Sequence, residues 1–240
     1  MGGGIASFKG NLSARTGEIS MGKLLLVRHG HTHLNSHGKD ERLRGWIDVP
    51  LDEEGLREAY QTAGLVRGYR VEAIYCSDLR RARQTAEILR RQTKAPVTAT
   101  GDLRPWNLGA FAGERVREII PFLNLLNRRP ELGAPGGESF YQFFERYATR
   151  LRALLELAEQ SSDCIMAVTH VRNLLACPTI ISDGDRDSVP VRGGPKTGSL
   201  VVLEKENGKW SMCSYGGQDV VRHMMGPATT PEVAPAIQAQ

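Results

Sequence analysis

Apolar and polar positions follow two periods along this chain. Short apolar runs ending in turn or polar residues predict strands at Lys23–Val27, Val71–Cys76, Pro96–Thr100 and Cys164–Thr169. Ser199–Glu204 and Lys209–Ser214 flank Asn207-Gly208, the dipeptide of a tight hairpin. Between the strands the period lengthens to that of a helix. Asp52 is placed to cap a helix with Leu56, Ala59, Tyr60, Ala63 and Val66 on one face. Ser77-Asp78 would cap another that carries Ala86, Ile88 and Leu89 to about Thr93. Ser139 and Gln142 form a capping-box pattern that opens the strongest stripe, Phe140, Phe143, Phe144, Tyr147, Leu151, Leu154 and Leu155. From Asp102 to Pro135 the pattern breaks into short helical pieces at Gly109, Gly113, Pro121, Pro130 and Gly133. Strands alternating with helices predict an α/β sandwich.

Composition narrows the class. The 240 residues are 40% hydrophobic and 24% charged, enough for one substantial core. Residues 1–20, rich in Gly and Ser, and the Pro/Ala-rich 226–240 read as flexible tails, and Met21 is a plausible natural start. One domain over 21–225 is expected between them, with 102–139 roofing a pocket. A net charge of +4 and a pI near 9.0 suit an anion pocket. Aromatics are only 6% and do not interleave with basic residues, so nucleic acid is not an expected partner. No apolar run approaches the roughly 18 residues of a membrane span, and the N-terminus lacks the apolar core of a secretory signal. Cys76, Cys164, Cys177 and Cys213 are widely spaced and sit mostly in apolar runs, the pattern of free thiols in a reducing compartment. The expected location is cytoplasmic.

Three predicted strand or helix boundaries carry chemistry. The first strand ends in Arg28-His29-Gly30. Ligands of open α/β sheets bind beyond the carboxyl ends of strands. There His29 offers a nucleophile that is neutral near pH 7 and Arg28 a bidentate grip on oxyanions, while Gly30 admits a close backbone approach. Arg81 falls in the first turn of the helix after the second strand, where free N–H groups attract phosphate. Arg80 and Arg83 read as a solvated face. His170 ends the Cys164–Thr169 strand. A lone histidine there would be a structural residue; Arg-His, Arg and His delivered by three such ends point to phosphoryl transfer.

These blocks resemble a known family. Arg28-His29-Gly30-His31-Thr32 with Asn35 is similar to the Arg-His-Gly-x-Thr-x-x-Asn signature of the histidine phosphatase superfamily, which includes cofactor-dependent phosphoglycerate mutases and small phosphatases. Arg44-Gly45-Trp46-Ile47-Asp48-Val49-Pro50-Leu51, Gly55, Ser77–Thr85, Gly136-Gly137-Glu138-Ser139 and Thr169-His170 follow in the family's order. The resemblance spans roughly Met21 to Glu204. It implies a three-layer α/β/α sandwich with a mixed, mostly parallel sheet, like that of phosphoglycerate mutases. It also implies a reaction without cofactor or metal, in which His29 attacks phosphorus and water then hydrolyses phospho-His29. Arg28, Arg81 and His170 would hold the non-bridging oxygens, with Thr32, Asn35 and Gly30 around the phosphate. A bound dianion would raise the pKa of His170.

One position departs from the pattern. The proton donor of the family is a Glu four residues before the glycine matching Gly109, and here that position is Pro105. Asp102 or Glu114 is then the expected acid, or the leaving group needs little help, or turnover is lost. The expected substrate is a phosphorylated small molecule or a phosphoprotein. Trp106, Phe111, Phe122, Arg115, Arg117, Arg128 and Arg129 are the candidates for the pocket roof, with Trp106 and Phe122 expected to pack on the core instead. Three other readings stand beside a phosphatase. A mutase would use Arg128-Arg129 on a carboxylate. A phosphate-ligand binding protein would have kept the pocket without the acid. A metal site would draw on His29, His31, His33 and His37.

Overall fold

The computed structural model describes residues 22–35, 42–190 and 193–214. The proposed tails, Met21 and His37 lie outside them.

The apolar run of the first strand explains the layering. β1 (Lys23–Arg28) points Leu25 and Val27 to one face and Leu24 and Leu26 to the other, and all four are fully buried. A strand apolar on both sides must be covered on both sides. One cover is α1 (Glu53–Leu65) and α2 (Arg80–Thr93). The other is α4 (Phe140–Gln160) and α5 (Val171–Ile181). β2 (Val71–Ser77), β3 (Val97–Thr100), β4 (Cys164–Thr169), β5 (Leu200–Glu206) and β6 (Lys209–Ser214) complete a six-stranded sheet in the order β3-β2-β4-β1-β5-β6. β3, β2, β4 and β1 run parallel, and β5 and β6 are antiparallel additions. The expected three-layer sandwich with a mostly parallel sheet is therefore the observed fold.

Local signals were strongest where side chain and backbone cooperate. Ser139 and Gln142 make both bonds of the capping box, at 3.1 and 2.8 Å, and every residue of the α4 stripe is buried. Asn207 and Gly208 both take positive φ, as the hairpin requires. Two expectations change. The inward face of α1 is Gly55, Ala59, Thr62 and Ala63, while Leu56 and Tyr60 are exposed. Ala59, Ala63 and Val66 of the expected face are buried, and Gly55 joins them because its lack of a Cβ, which would lie 2.1 Å from the His31 carbonyl oxygen, lets the backbones meet. Nor do Ser77-Asp78 cap α2. Its Arg80 N–H donates to Asp48 Oδ1 at 2.6 Å, and Asp78 instead pairs with Arg104 at 2.7 Å. The irregular 102–135 region contains one 13-residue helix, α3 (Val116–Arg128), that runs through an exposed Pro121. Cys76, Cys164 and Cys177 are free and buried.

Candidate active site

Parallel pairing places the chemistry. Arg28 is in register with Thr169, and the His29 N–H donates to the Thr169 carbonyl at 3.0 Å. His29 and His170 thus leave adjacent strand ends together, their ring centroids 5.0 Å apart. Both are 2% exposed. His29 Nδ1 lies 2.7 Å from the Gly30 carbonyl oxygen. A carbonyl only accepts, so the proton sits on Nδ1 and Nε2 keeps its lone pair. Burial, then Arg81, Arg28 and Arg44, push the pKa of His29 well below the ordinary histidine value. Burial and the same arginines, with His29, do so for His170.

Arg81 reaches the same place from α2. Its guanidinium donates to the carbonyls of Ile47 at 2.8 Å and Gly45 at 3.0 Å, and Gly45 takes a positive φ in that loop. The side chain is 1% exposed, and desolvation with Arg44 and Arg28 nearby lowers its pKa to about 9. Among the described residues, neither ring nitrogen of His170 nor Nε of Arg81 has a hydrogen-bond partner. Buried polar groups are normally satisfied. Three such atoms lie here among the arginines Arg28, Arg44 and Arg81, an arrangement chemically suited to an oxyanion.

His29, Arg81 and His170 line a cavity of about 380 Å³ with Arg44, Arg172, Pro105, Trp106 and Asn124. Its apolar wall is Leu43, Leu108, Val116, Ile120, Leu123 and Leu175. A larger groove of about 730 Å³ between α1 and α2 holds neither histidine nor Arg81, and its arginines are Arg80, Arg83 and Arg91.

The remaining expected residues take other positions. Arg28 projects beside the cavity and donates to the Pro195 carbonyl at 2.5 Å; its charge is felt by both histidines, but it is not a wall residue. Thr32 and Asn35 bond each other, with both the N–H and Oγ1 of Thr32 donating to Asn35 Oδ1. Gly30 serves packing: a Cβ there would lie 2.3 Å from the Gly55 carbonyl oxygen. His31 Nδ1 pairs with Asp52 at 2.6 Å and His33 is exposed, and no cluster suited to a metal occurs among the described residues.

Neither expected acid reaches the cavity. Asp102 is exposed, accepts from Thr100 Oγ1 at 3.1 Å and borders a shallow depression beside Glu145 and Arg146. Glu114 is exposed in the turn before α3. Both were chosen by nearness to Pro105 in sequence, and the short helical turn at Gly101–Leu103 directs Asp102 outward. Of the expected roof residues only Trp106 lines the cavity; Phe122 is 51% exposed against Phe111 rather than buried in the core. Arg115 and Arg117 face Glu118, and Arg129 pairs with Glu131 at the exposed end of α3.

Arg44 and Arg172 were not singled out from the sequence. Arg44 sits within a matched block, two residues before Trp46. Arg172 follows His170 by two, donates to the Pro190 carbonyl at 2.9 Å and lies 5.5 Å over the Trp106 ring. Glu138 fixes the wall from behind: its carboxylate accepts from Asn107 N–H at 2.9 Å and Arg146 at 2.6 Å, and its carbonyl from Trp106 Nε1 at 2.9 Å.

Comparison with known proteins gives the family and the fold. The protein of Klebsiella pneumoniae named "Probable phosphoglycerate mutase GpmB" is 31% identical over 150 residues, covering 60% of this chain and 68% of that one. A mycobacterial glucosyl-3-phosphoglycerate phosphatase superposes with a TM-score of 0.69 at 24% identity, over 82% of this chain and 99% of that one, a likeness of fold. Bacillus stearothermophilus YhfR gives a TM-score of 0.69 at 26% identity, covering 83% and 98%. Residues 24–216 match the model of the histidine phosphatase superfamily, branch 1. The chain belongs to that superfamily.

Proposed function

We propose that the protein is a phosphatase that transfers a phosphoryl group to Nε2 of His29 and hydrolyses the phosphohistidine. The observation that carries this reading is the set of buried polar atoms beside His29 that have no hydrogen-bond partner: both ring nitrogens of His170 and Nε of Arg81. Folding leaves such groups unsatisfied at a cost of about 1–3 kcal/mol each, and a phosphate restores their bonds. The Nδ1–Gly30 contact aims the lone pair of Nε2 away from the backbone. In the transition state, charge spreads over the three non-bridging oxygens, where fixed cations stabilise it without reorganisation. Arg81 and His170 meet those oxygens, and Arg28 and Arg44 add to the field. Water then adds to phosphorus and the P–N electron pair returns to Nε2. The reading places the whole reaction in one domain, with α3 and its flanking loops as the roof. The name of the mycobacterial neighbour, a phosphatase, fits it; the mutase name of the Klebsiella relative marks the alternative.

The test is phosphate release from p-nitrophenyl phosphate with chelator present, together with an acid-stability assay of the labelled protein. Release, with an acid-labile, base-stable phosphoprotein in wild type and neither in His29→Ala, is the expected outcome. Turnover persisting in His29→Ala refutes it.

A further inference from the structure

Among the described residues the cavity wall offers no carboxyl group to protonate a leaving group. Pro105, from the loop after β3, is itself one of its lining residues. The titratable groups that face the cavity are His29, His170 and the guanidiniums of Arg44, Arg81 and Arg172. His29 is spent as the nucleophile, and burial, with Arg81 and the other surrounding cations, pushes the pKa of His170 well below the ordinary histidine value. An alkyl phosphate is a poor match, because its alkoxide, with a pKa comparable to about 15.7 for water, must be protonated as it leaves.

The cations extend further than one phosphoryl group requires. Arg44 is close enough to lower the pKa of His29, His170 and Arg81 alike. Arg172 is half-buried in the first turn of α5, where it donates to the Pro190 carbonyl and lies over the Trp106 and Phe140 rings. The same cavity is lined by the apolar Leu43 and Leu108 and by Val116, Ile120 and Leu123 of α3. A leaving group for this wall is anionic near the bond that breaks and apolar beyond it.

We propose that the cavity takes an organic diphosphate with an apolar organic group and removes its terminal phosphoryl group. The inference rests on the phosphohistidine reading above and adds the substrate class. The terminal phosphoryl group meets His29, Arg81 and His170, the inner phosphate meets Arg44 and Arg172, and the organic group lies against Ile120 and Leu123. The balance closes without an acid. The lone pair of Nε2 forms the P–N bond, the P–O bond to the bridging oxygen breaks, and its electrons leave on an organic monophosphate dianion. That oxygen belongs to a group whose second pKa is about 6, so no proton need accompany it. Water then releases the phosphoryl group as dihydrogen phosphate and regenerates neutral His29.

The experiment uses the full chain with p-nitrophenyl phosphate, geranyl phosphate, geranyl diphosphate and methyl diphosphate. General acid help is typically worth about 10²–10⁴ in rate. The expected result is therefore turnover of p-nitrophenyl phosphate, with kcat/KM for geranyl diphosphate at least about 10² above that for geranyl phosphate. Geranyl phosphate and inorganic phosphate should appear in equal amounts. Methyl diphosphate should be slower than geranyl diphosphate by about tenfold or more, for want of apolar contact. Similar kcat/KM for geranyl phosphate and geranyl diphosphate would overturn the substrate class and leave the phosphatase reading intact. Equal rates for the two diphosphates would overturn the apolar component. Inertness to p-nitrophenyl phosphate, with no phosphoprotein formed, would overturn both readings.

Discussion

Replacing Arg81 by Met separates what this side chain does for folding from what it does for phosphate. In the free protein the guanidinium is 1% exposed and faces Arg44 and Arg28. Its fall from the ordinary arginine value to about 9 spans about three and a half tenfold steps. At about 1.4 kcal/mol per step this is about 5 kcal/mol against the charged form. Against it stand the two charge-assisted hydrogen bonds to the carbonyls of Gly45 and Ile47, worth about 1.5–3 kcal/mol each. The two contributions nearly cancel, and Met fills similar volume without charge. Arg81→Met should therefore denature in urea within about 2 kcal/mol of wild type. With ligand the balance tips. Phosphate at 100 times its Kd stabilises wild type by about 2.7 kcal/mol, and most of that increment should vanish in the variant. Loss of one fixed donor to the transition state lowers kcat by about 10²–10³. Urea unfolding with and without phosphate, beside kcat on p-nitrophenyl phosphate, measures all three quantities. An undiminished phosphate increment, or a kcat within tenfold of wild type, would refute the placement of Arg81 on the phosphoryl oxygens.

Three further outcomes follow from other contacts. Helix propensity alone would make Gly55→Ala stabilising by about 1 kcal/mol, yet the new Cβ would lie 2.1 Å from the His31 carbonyl oxygen; a loss of about 1–3 kcal/mol is expected, and a Tm at or above wild type would show that the loop after β1 yields freely. His29 and His170 both have pKa values held well below 6.5 by burial, so the unfolded chain binds protons that the native one does not. Stability contributed by these groups is complete above pH 6.5 and falls as pH drops below it, by up to about 1.4 kcal/mol per pH unit for each histidine. His170→Asn should reduce that slope by about half of the histidine part, and an unchanged stability–pH profile would contradict the burial argument. Pro105→Glu should raise kcat/KM for geranyl phosphate by about tenfold or more, part of the 10²–10⁴ that an acid supplies, with a far smaller change for p-nitrophenyl phosphate; no differential gain would mean that position 105 does not face the leaving group.

Legibility in the sequence tracks how local each cause is. Leu24–Val27 and the α4 stripe were readable because burial on two faces or on one stripe imposes a period on adjacent residues. The meeting of His29 and His170 followed from strand ends, a rule that needs only topology. Failures came where the partner is distant. Asp48 caps α2 from 32 residues away, so the local pair Ser77-Asp78 misled. Thr32 and Asn35 carry a signature, but their hydrogen bonds close a turn on each other. Arg172 looks in sequence like any polar residue at a helix start; only the Pro190 carbonyl and the Trp106 ring show that it turns into the cavity wall. α3 was hidden by Pro121, whose exposed position lets the helix continue.

The same non-local dependence explains why a matched motif does not fix a substrate. The anion receptor is assembled from residues rigidly tied to the sheet: His29 and His170 by paired strand ends, Arg81 by two backbone carbonyls. Such ties preserve the transfer step whatever the leaving group. The leaving group instead meets Leu43, Trp106, Leu108 and α3, held by separate contacts such as the Leu43 N–H to the Glu114 carbonyl and Trp106 Nε1 to the Glu138 carbonyl. These walls can change without disturbing the receptor, and Pro105 stands among them. A proline there removes an ionisable side chain from the leaving-group side alone. On the proposed reading it leaves the His29 chemistry in place and restricts it to leaving groups that depart as anions.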